Sequence, residues 1–100
     1  MNRSDNFSWL EDWFTRQCDG AWEHAGGIVI ESLDNPGWWV RIDLNGTKYD
    51  GVQKRDLLEE GTVETNWILC KIRDGKFDGT GSPEMLGRIV QVFRLWIENY

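Results

Sequence analysis

The stretch from Gly27 to Leu44, GIVIESLDNPGWWVRIDL, most constrains what this chain can become. Apolar residues alternate on both sides of Asp34-Asn35-Pro36-Gly37. Asn, Pro and Gly supply turn dihedrals, and Pro removes a ladder donor, so the chain reverses there. The pattern predicts a β-hairpin. In its second strand Trp38, Val40, Ile42 and Leu44 share one face, and Trp39, Arg41 and Asp43 share the other. The first set reads as core. The second places a tryptophan among charges, and it marks the face on which to look for function.

Around this hairpin the chain reads as helix, strands, helix. Ser8 and Glu11 have capping-box spacing for a first helix over Ser8 to Gln17, with Asp5 or Asn6 as the alternative cap. Phe7, Leu10, Phe14 and Cys18 follow helical spacing, Trp9 and Trp13 widen the stripe, and residues 1–6 read as frayed. Asp19-Gly20 stops the helix. After Leu44, Asn45-Gly46 signals a second hairpin, with strand three beginning over Thr47 to Tyr49. Gln53 to Glu60 fits a helical turn or an edge strand, and Thr62 to Glu64 a short strand. Asn66 to Arg73 is a clear strand, turned by Asp74-Gly75 into a brief one around Phe77. Gly79-Thr80-Gly81 reads as a flexible exit. Ser82 suits an N-cap and Pro83 the first helical position, ahead of a stripe of Leu86, Ile89, Val90, Phe93, Trp96 and Ile97.

No helix falls between two long parallel strands, so the fold class is α+β. The expected form is a two-layer sandwich: an antiparallel meander of about 4–6 strands, with the N- and C-terminal helices on one face. The other face then meets water or a partner. Its outward set is Glu31, Trp39, Arg41, Asp43, Trp67, Leu69 and Lys71.

One hundred residues suit a single domain, and seven Trp with four Phe supply an efficient core. The net charge of −6, from 17 acids against 11 bases, disfavours nucleic acid and anionic membranes as partners. It favours a basic protein surface. The N-terminus lacks a signal-peptide pattern, and no run approaches the ~20 apolar residues of a membrane span. Two widely spaced cysteines in apolar patterns, Cys18 and Cys70, fit buried, reduced thiols and a cytoplasmic location, with a disulfide between them as the alternative.

Chemistry has few candidates. Cys18, Glu23 and His24 could pair a thiol with a base, but one His and two Cys fall short of a four-ligand zinc site. The bland alternative is that Cys18 packs under the first helix while Glu23 and His24 fix the loop. Cys70-Lys71-Ile72-Arg73-Asp74-Gly75 distantly resembles a sulfurtransferase loop, yet its Cys lies inside a strand pattern. The glycines of 78–82 precede a helix, but without the strand–loop–Lys pattern of a phosphate site. Asp34 has a local role available, bonding the backbone of its own turn. Trp39 is either a binding anchor or a ring covered by Arg41. Nothing in these spacings asks for a cofactor.

Several motifs converge on one family. Trp9-Leu10, Trp13-Phe14, Cys18-Asp19-Gly20-x-Trp22-Glu23-His24, Gly27-Ile28 and Asp34-Asn35-Pro36-Gly37-Trp38 resemble, in order and spacing, the immunity protein 53 family of bacterial polymorphic-toxin systems. Trp67-Ile68-Leu69-Cys70, Asp74-Gly75-Lys76-Phe77-x-Gly79-x-Gly81 and Phe93-x-x-Trp96 are similar too. The resemblance implies an inhibitor, made beside a toxin gene, that binds the toxin domain. It supplies no contact residues. The expectation is therefore a toxin-neutralising protein, monomeric or weakly dimeric, that occludes its toxin's active cleft, with a nuclease as one possible toxin. Its contact set is Trp39, Arg41, Asp43, Glu31, Trp67 and Leu69. The rivals are a small thiol enzyme and a self-associating module.

Overall fold

The computed structural model describes residues 5–100. Element order is α1 (Asn6–Gln17), α2 (Trp22–Ala25), β1 (Ile28–Leu33), β2 (Gly37–Asp43), β3 (Arg55–Glu60), β4 (Ile68–Arg73), β5 (Lys76–Gly81) and α3 (Leu86–Glu98). The strands form one antiparallel sheet of five in the order β1-β2-β5-β4-β3. The fold is α+β, with an N-terminal and a C-terminal helix, as the sequence led one to expect. The strand order corrects a simple meander. Only β3, β4 and β5 meander, and β5 then pairs with β2.

The reason lies after β2. The Leu44 N–H is already bonded to the Gly75 carbonyl at 2.9 Å, so β5 fills the slot that Asn45-Gly46 was expected to fill. Residues 45–51 instead run through successive turns, closed by Thr47 N–H to the Leu44 carbonyl and Asp50 N–H to the Thr47 carbonyl. Thr47 to Tyr49 is therefore no strand, and the chain passes to the far edge. Tyr49 is buried there, with Trp96 and Tyr100 rings 5.5 and 5.0 Å away. Residues 62–64 form a turn rather than a strand, held by paired Thr62–Thr65 bonds.

The inner face carries Val40, Ile42, Ile68, Cys70, Ile72 and Phe77, all buried. Helix α3 lies on it through Ile89, Val90 and Phe93, each burial contributing about 1.5–3 kcal/mol. Gly79, read as part of a flexible exit, is instead mid-strand beneath α3. A Cβ there would lie 2.5 Å from Ile89 Cγ2, so glycine sets how closely helix and sheet approach. Helix α1 packs beside α3: Trp13 meets Phe93 edge-on at 5.0 Å, while Leu10 and Phe14 share a groove with Ile28.

Both helix starts differ in detail from the expected ones. Asp5 caps α1, accepting the Ser8 N–H at 2.9 Å, so the second alternative holds and Ser8 with Glu11 does not. Asp5 and Asn6 thus belong to the helix start, and the rest of the expected frayed segment, 1–4, falls outside the described residues. Ser82 does not cap α3. Its hydroxyl accepts the Trp67 N–H and donates to Asn66 Oδ1, closing the end of the β4–β5 ribbon. One turn intervenes and α3 starts at Leu86, after Met85.

Candidate functional site

The pleat of β1, β2, β5 and β4 sends alternate residues to the helix-free face. Register aligns them into rows: Glu31, Trp39, Thr80 and Leu69 in one, Val29, Arg41, Asp78 and Lys71 in the next. Trp39 is half-buried in the first row. Its indole N–H donates to Asp78 Oδ1 at 2.9 Å, and the other Asp78 oxygen accepts from Arg73 Nε at 3.2 Å. Arg41 lies 4.0 Å over the Trp39 ring and pairs with Glu31. Stacking of this kind is worth about 0.5–1 kcal/mol at exposed sites, and each surface ion pair about 0–1. The energies are small, but together they fix the indole's orientation. Trp39 with Leu33, Leu69 and Thr80, and with Lys71, Arg73 and Asp78 on the adjoining rows, lines an open groove of about 260 Å³.

Of the expected contact set, Glu31, Trp39, Arg41 and Leu69 come together. Asp43 does not belong with them as an exposed acid. It has the outward parity but is only 8% exposed, because Gly26 packs against its carboxylate so closely that no Cβ fits. Its Oδ1 accepts the Asn45 N–H at 3.0 Å, and its backbone carbonyl accepts the Trp22 indole N–H at 3.0 Å. Trp67 precedes β4 and is half-buried, its backbone tied to Ser82 outside the groove. Sequence reading missed Leu33, Arg73, Asp78 and Thr80. The alternation of Lys76, Asp78 and Thr80 against Phe77, Gly79 and Gly81 was the available signal.

The motif residues before the hairpin build a corner. Asp19 Oδ1 accepts the N–H groups of Ala21 and Trp22, both at 2.9 Å. Glu23 returns the favour, accepting from Asp19 at 3.0 Å and Gly20 at 2.8 Å. Both carboxyls sit below their ordinary pKa: Asp19 through the Trp22 and then the Ala21 N–H, Glu23 through its own N–H and those of Asp19 and Gly20. This reciprocal cap starts α2 and drives Trp22 into the core, edge-on to Trp13 at 5.8 Å. His24 is exposed, and its ring makes no hydrogen bond among the described residues, correcting its expected loop-fixing role. Asp34 likewise makes no bond to its turn, where the Asn35–Pro36 peptide is cis and Gly37 packs against the Gly81 carbonyl. Trp38 ties β2 to the segment before α3 by donating to the Pro83 carbonyl at 2.9 Å.

The thiols are separated in kind. Cys70 is buried, and that burial pushes its pKa up to about 12. Cys18 is exposed, correcting its expected burial, and its Sγ donates to the Phe14 carbonyl at 3.3 Å. Desolvation, then the Glu23 and Asp19 charges, raises its pKa, the opposite of what an activated thiolate needs. Among the described residues no cluster of His, Cys, Asp and Glu could hold a metal, and no helix is long and apolar enough to cross a membrane.

The family model described as immunity protein 53 matches residues 7–98. The chain belongs to that family. No curated protein and no solved structure matches it. Within this Imm53 chain a second apolar surface competes with the outer sheet face. Leu57, Leu58, Val92, Leu95 and Trp96 line a groove of about 390 Å³ between β3 and α3, and Leu95 is exposed there.

Proposed function

We propose that this Imm53 chain is a cytoplasmic, non-enzymatic immunity protein that neutralises a cognate polymorphic toxin by docking its outer sheet face over the toxin's active site. The observation that carries this reading is Trp39. It is a large aromatic on a helix-free face, pinned by Asp78 and Arg41 beside a groove that Leu33 and Leu69 share with Lys71, Arg73 and Thr80. Binding hot spots are enriched in such residues, and a fixed rotamer lowers the entropy lost on association. The raised pKa values of both thiols weigh against the thiol-enzyme rival. A nuclease toxin is favoured only by the net charge of −6, to which Glu59 contributes opposite Leu69 at the edge of the groove, while Glu60 is paired with Arg88.

Co-expression with the toxin domain of the neighbouring reading frame tests the reading. Trp39→Ala and Leu69→Asp should fold yet lose protection, with a hot-spot loss of about 2 kcal/mol or more in binding. Leu95→Asp, in the second groove, should protect like the parent. Full protection by both outer-face variants would reject the face. Loss with Leu95→Asp alone would move the contact to the β3–α3 groove.

A further inference from the structure

The two edges of the sheet are built differently. One edge is β3, with Arg55, Asp56, Glu59 and Glu60 along it and a register shift between Asp56 and Leu58. Charges and irregularities of this kind keep an edge from pairing further. The other edge is β1. Its sequence, IVIESL, has no proline, no basic residue and a single acid, and its register with β2 runs unbroken. The Asp43 N–H bonds the Gly27 carbonyl at 2.9 Å, so Val29, Glu31 and Leu33 in the same phase turn their backbone groups towards β2. Ile28, Ile30 and Ser32 turn theirs outward, and no hydrogen bond among the described residues takes those groups up. Apolar surface accompanies this edge. Ile30 lies opposite Val40 and shares its helix-covered face, yet Val40 is fully buried and Ile30 is 41% exposed. Leu10 and Phe14 of α1 reach Ile28 but leave Ile30 uncovered. Phe7, one turn back on the same side of α1, is exposed as well.

We propose that β1 pairs antiparallel with β1 of a second copy of this chain, about a two-fold axis at Ile30. The strand's own pattern selects both the occupant and the register. Centred on Ile30, Ile28 faces Ser32 of the second copy, Ile30 faces Ile30, and every outward residue exchanges both its bonds. Glu31 then faces Val29, and the two exposed isoleucines cover each other. Centred on Glu31, like charges would oppose each other and Ile28 would lose its partner. Centred on Val29, Ser32 would lose its partner. Such a pair uses up both β1 edges, and the blunted β3 edges end the sheet at two copies. One strand edge makes a small interface, so the pair forms and dissociates with concentration. The axis stands perpendicular to the sheet, which sets both Trp39 grooves on one side of a continuous surface. Pairing does not depend on what docks there.

Sedimentation of the whole chain over a wide concentration range tests the pairing, with the urea midpoint of each variant as the folding control. The parent should pass from monomer to dimer and no further. Ile30→Pro removes an outward donor and leaves the β1–β2 ladder its bonds, so it should weaken the dimer about tenfold or more. Ile30→Lys sets like charges on the axis and should do the same, and it decides if the proline variant fails to fold. The register is read by cross-linking with oxidised glutathione in a Cys18→Ser background, since Cys18 is exposed and Cys70 buried. Position 30 meets itself at a Cα separation of about 5.5 Å, within a disulfide's reach, so Ile30→Cys should give covalent dimers. Val29→Cys should not, because its counterpart lies two residues further along. A chain that stays monomeric to its solubility limit overturns the pairing. So does a dimer unaffected by both Ile30→Pro and Ile30→Lys, or equal cross-linking at 29 and 30. If the chain is monomeric and Ile30→Pro weakens binding to the toxin domain of the neighbouring reading frame, the edge takes a strand of the toxin and the second copy is overturned. The docking face is tested separately, by Trp39→Ala and Leu69→Asp.

Discussion

Replacing Gly79 with alanine tests whether the helix-to-sheet distance is set by a missing side chain. The new methyl would lie 2.5 Å from Ile89 Cγ2 and 3.0 Å from Phe77 Cε2. Both neighbours are fully buried, so neither can swing into solvent. Overpacking of this kind costs about 1–3 kcal/mol. Against it, alanine recovers about 0.5–1 kcal/mol of the entropy that glycine loses in a strand. The net expectation is a loss of about 1–2 kcal/mol. In urea, with a slope of about 1–2 kcal/mol/M for a chain of this size, the midpoint falls by on the order of 1 M. The thermal midpoint falls by about 5–15 °C. The decisive measurement is the cycle with Ile89→Ala, which alone should cost about 2–5 kcal/mol by opening a cavity. The alanine methyl at position 79 would partly fill that cavity, so the double variant should be more stable than the sum predicts by about 1 kcal/mol or more. Additive losses, or a Gly79→Ala protein as stable as the parent, would refute the steric account.

Acid should unpick the α2 corner. Asp19 and Glu23 have lowered pKa values in the folded chain, so their contribution is present above the unfolded values and is lost as pH falls through the folded ones. The stability gap between the parent and Asp19→Asn/Glu23→Gln should therefore close as pH drops past the ordinary 3.8 and 4.5, and a gap unchanged with pH would contradict this. Thiol titration should distinguish the cysteines. Cys18 should react on the folded protein, slowly at neutral pH and faster towards pH 9 and above, while Cys70 should react only on unfolding. Two fast thiols in the native state would revive the enzyme reading.

What could be read beforehand followed from periodicity. Alternation in 37–44 separated Val40 and Ile42 from Trp39 and Arg41, and the pleat keeps that division. The stripe Ile89, Val90, Phe93 marked α3 for the same reason. Where glycine carries long-range information, local rules failed. Gly79 and Gly81 resemble a loop, yet they lie in the central strand, because Ile89 and the Met85 Cβ occupy the space above them. Hidden with β5 were Asp78, which orients Trp39, and the row that completes the groove. Asp43 shows the converse: its parity was right, but its cover comes from Gly26, and alternation along β2 carries no information about a loop folding over it. Ser82 and Asn45-Gly46 carry strong local signals whose partners were already taken by Trp67 and Gly75.

The strand at the middle of the sheet is the last one translated. Until Lys76–Gly81 is made, β1 with β2 and β3 with β4 can pair only as separate ribbons with open edges, because β5 is the strand that joins them. Helix α3, which roofs them, follows later still. Synthesis that stalls short of β5 therefore delivers neither a core nor a continuous outer surface. The surface on which docking is proposed is therefore complete only in finished molecules.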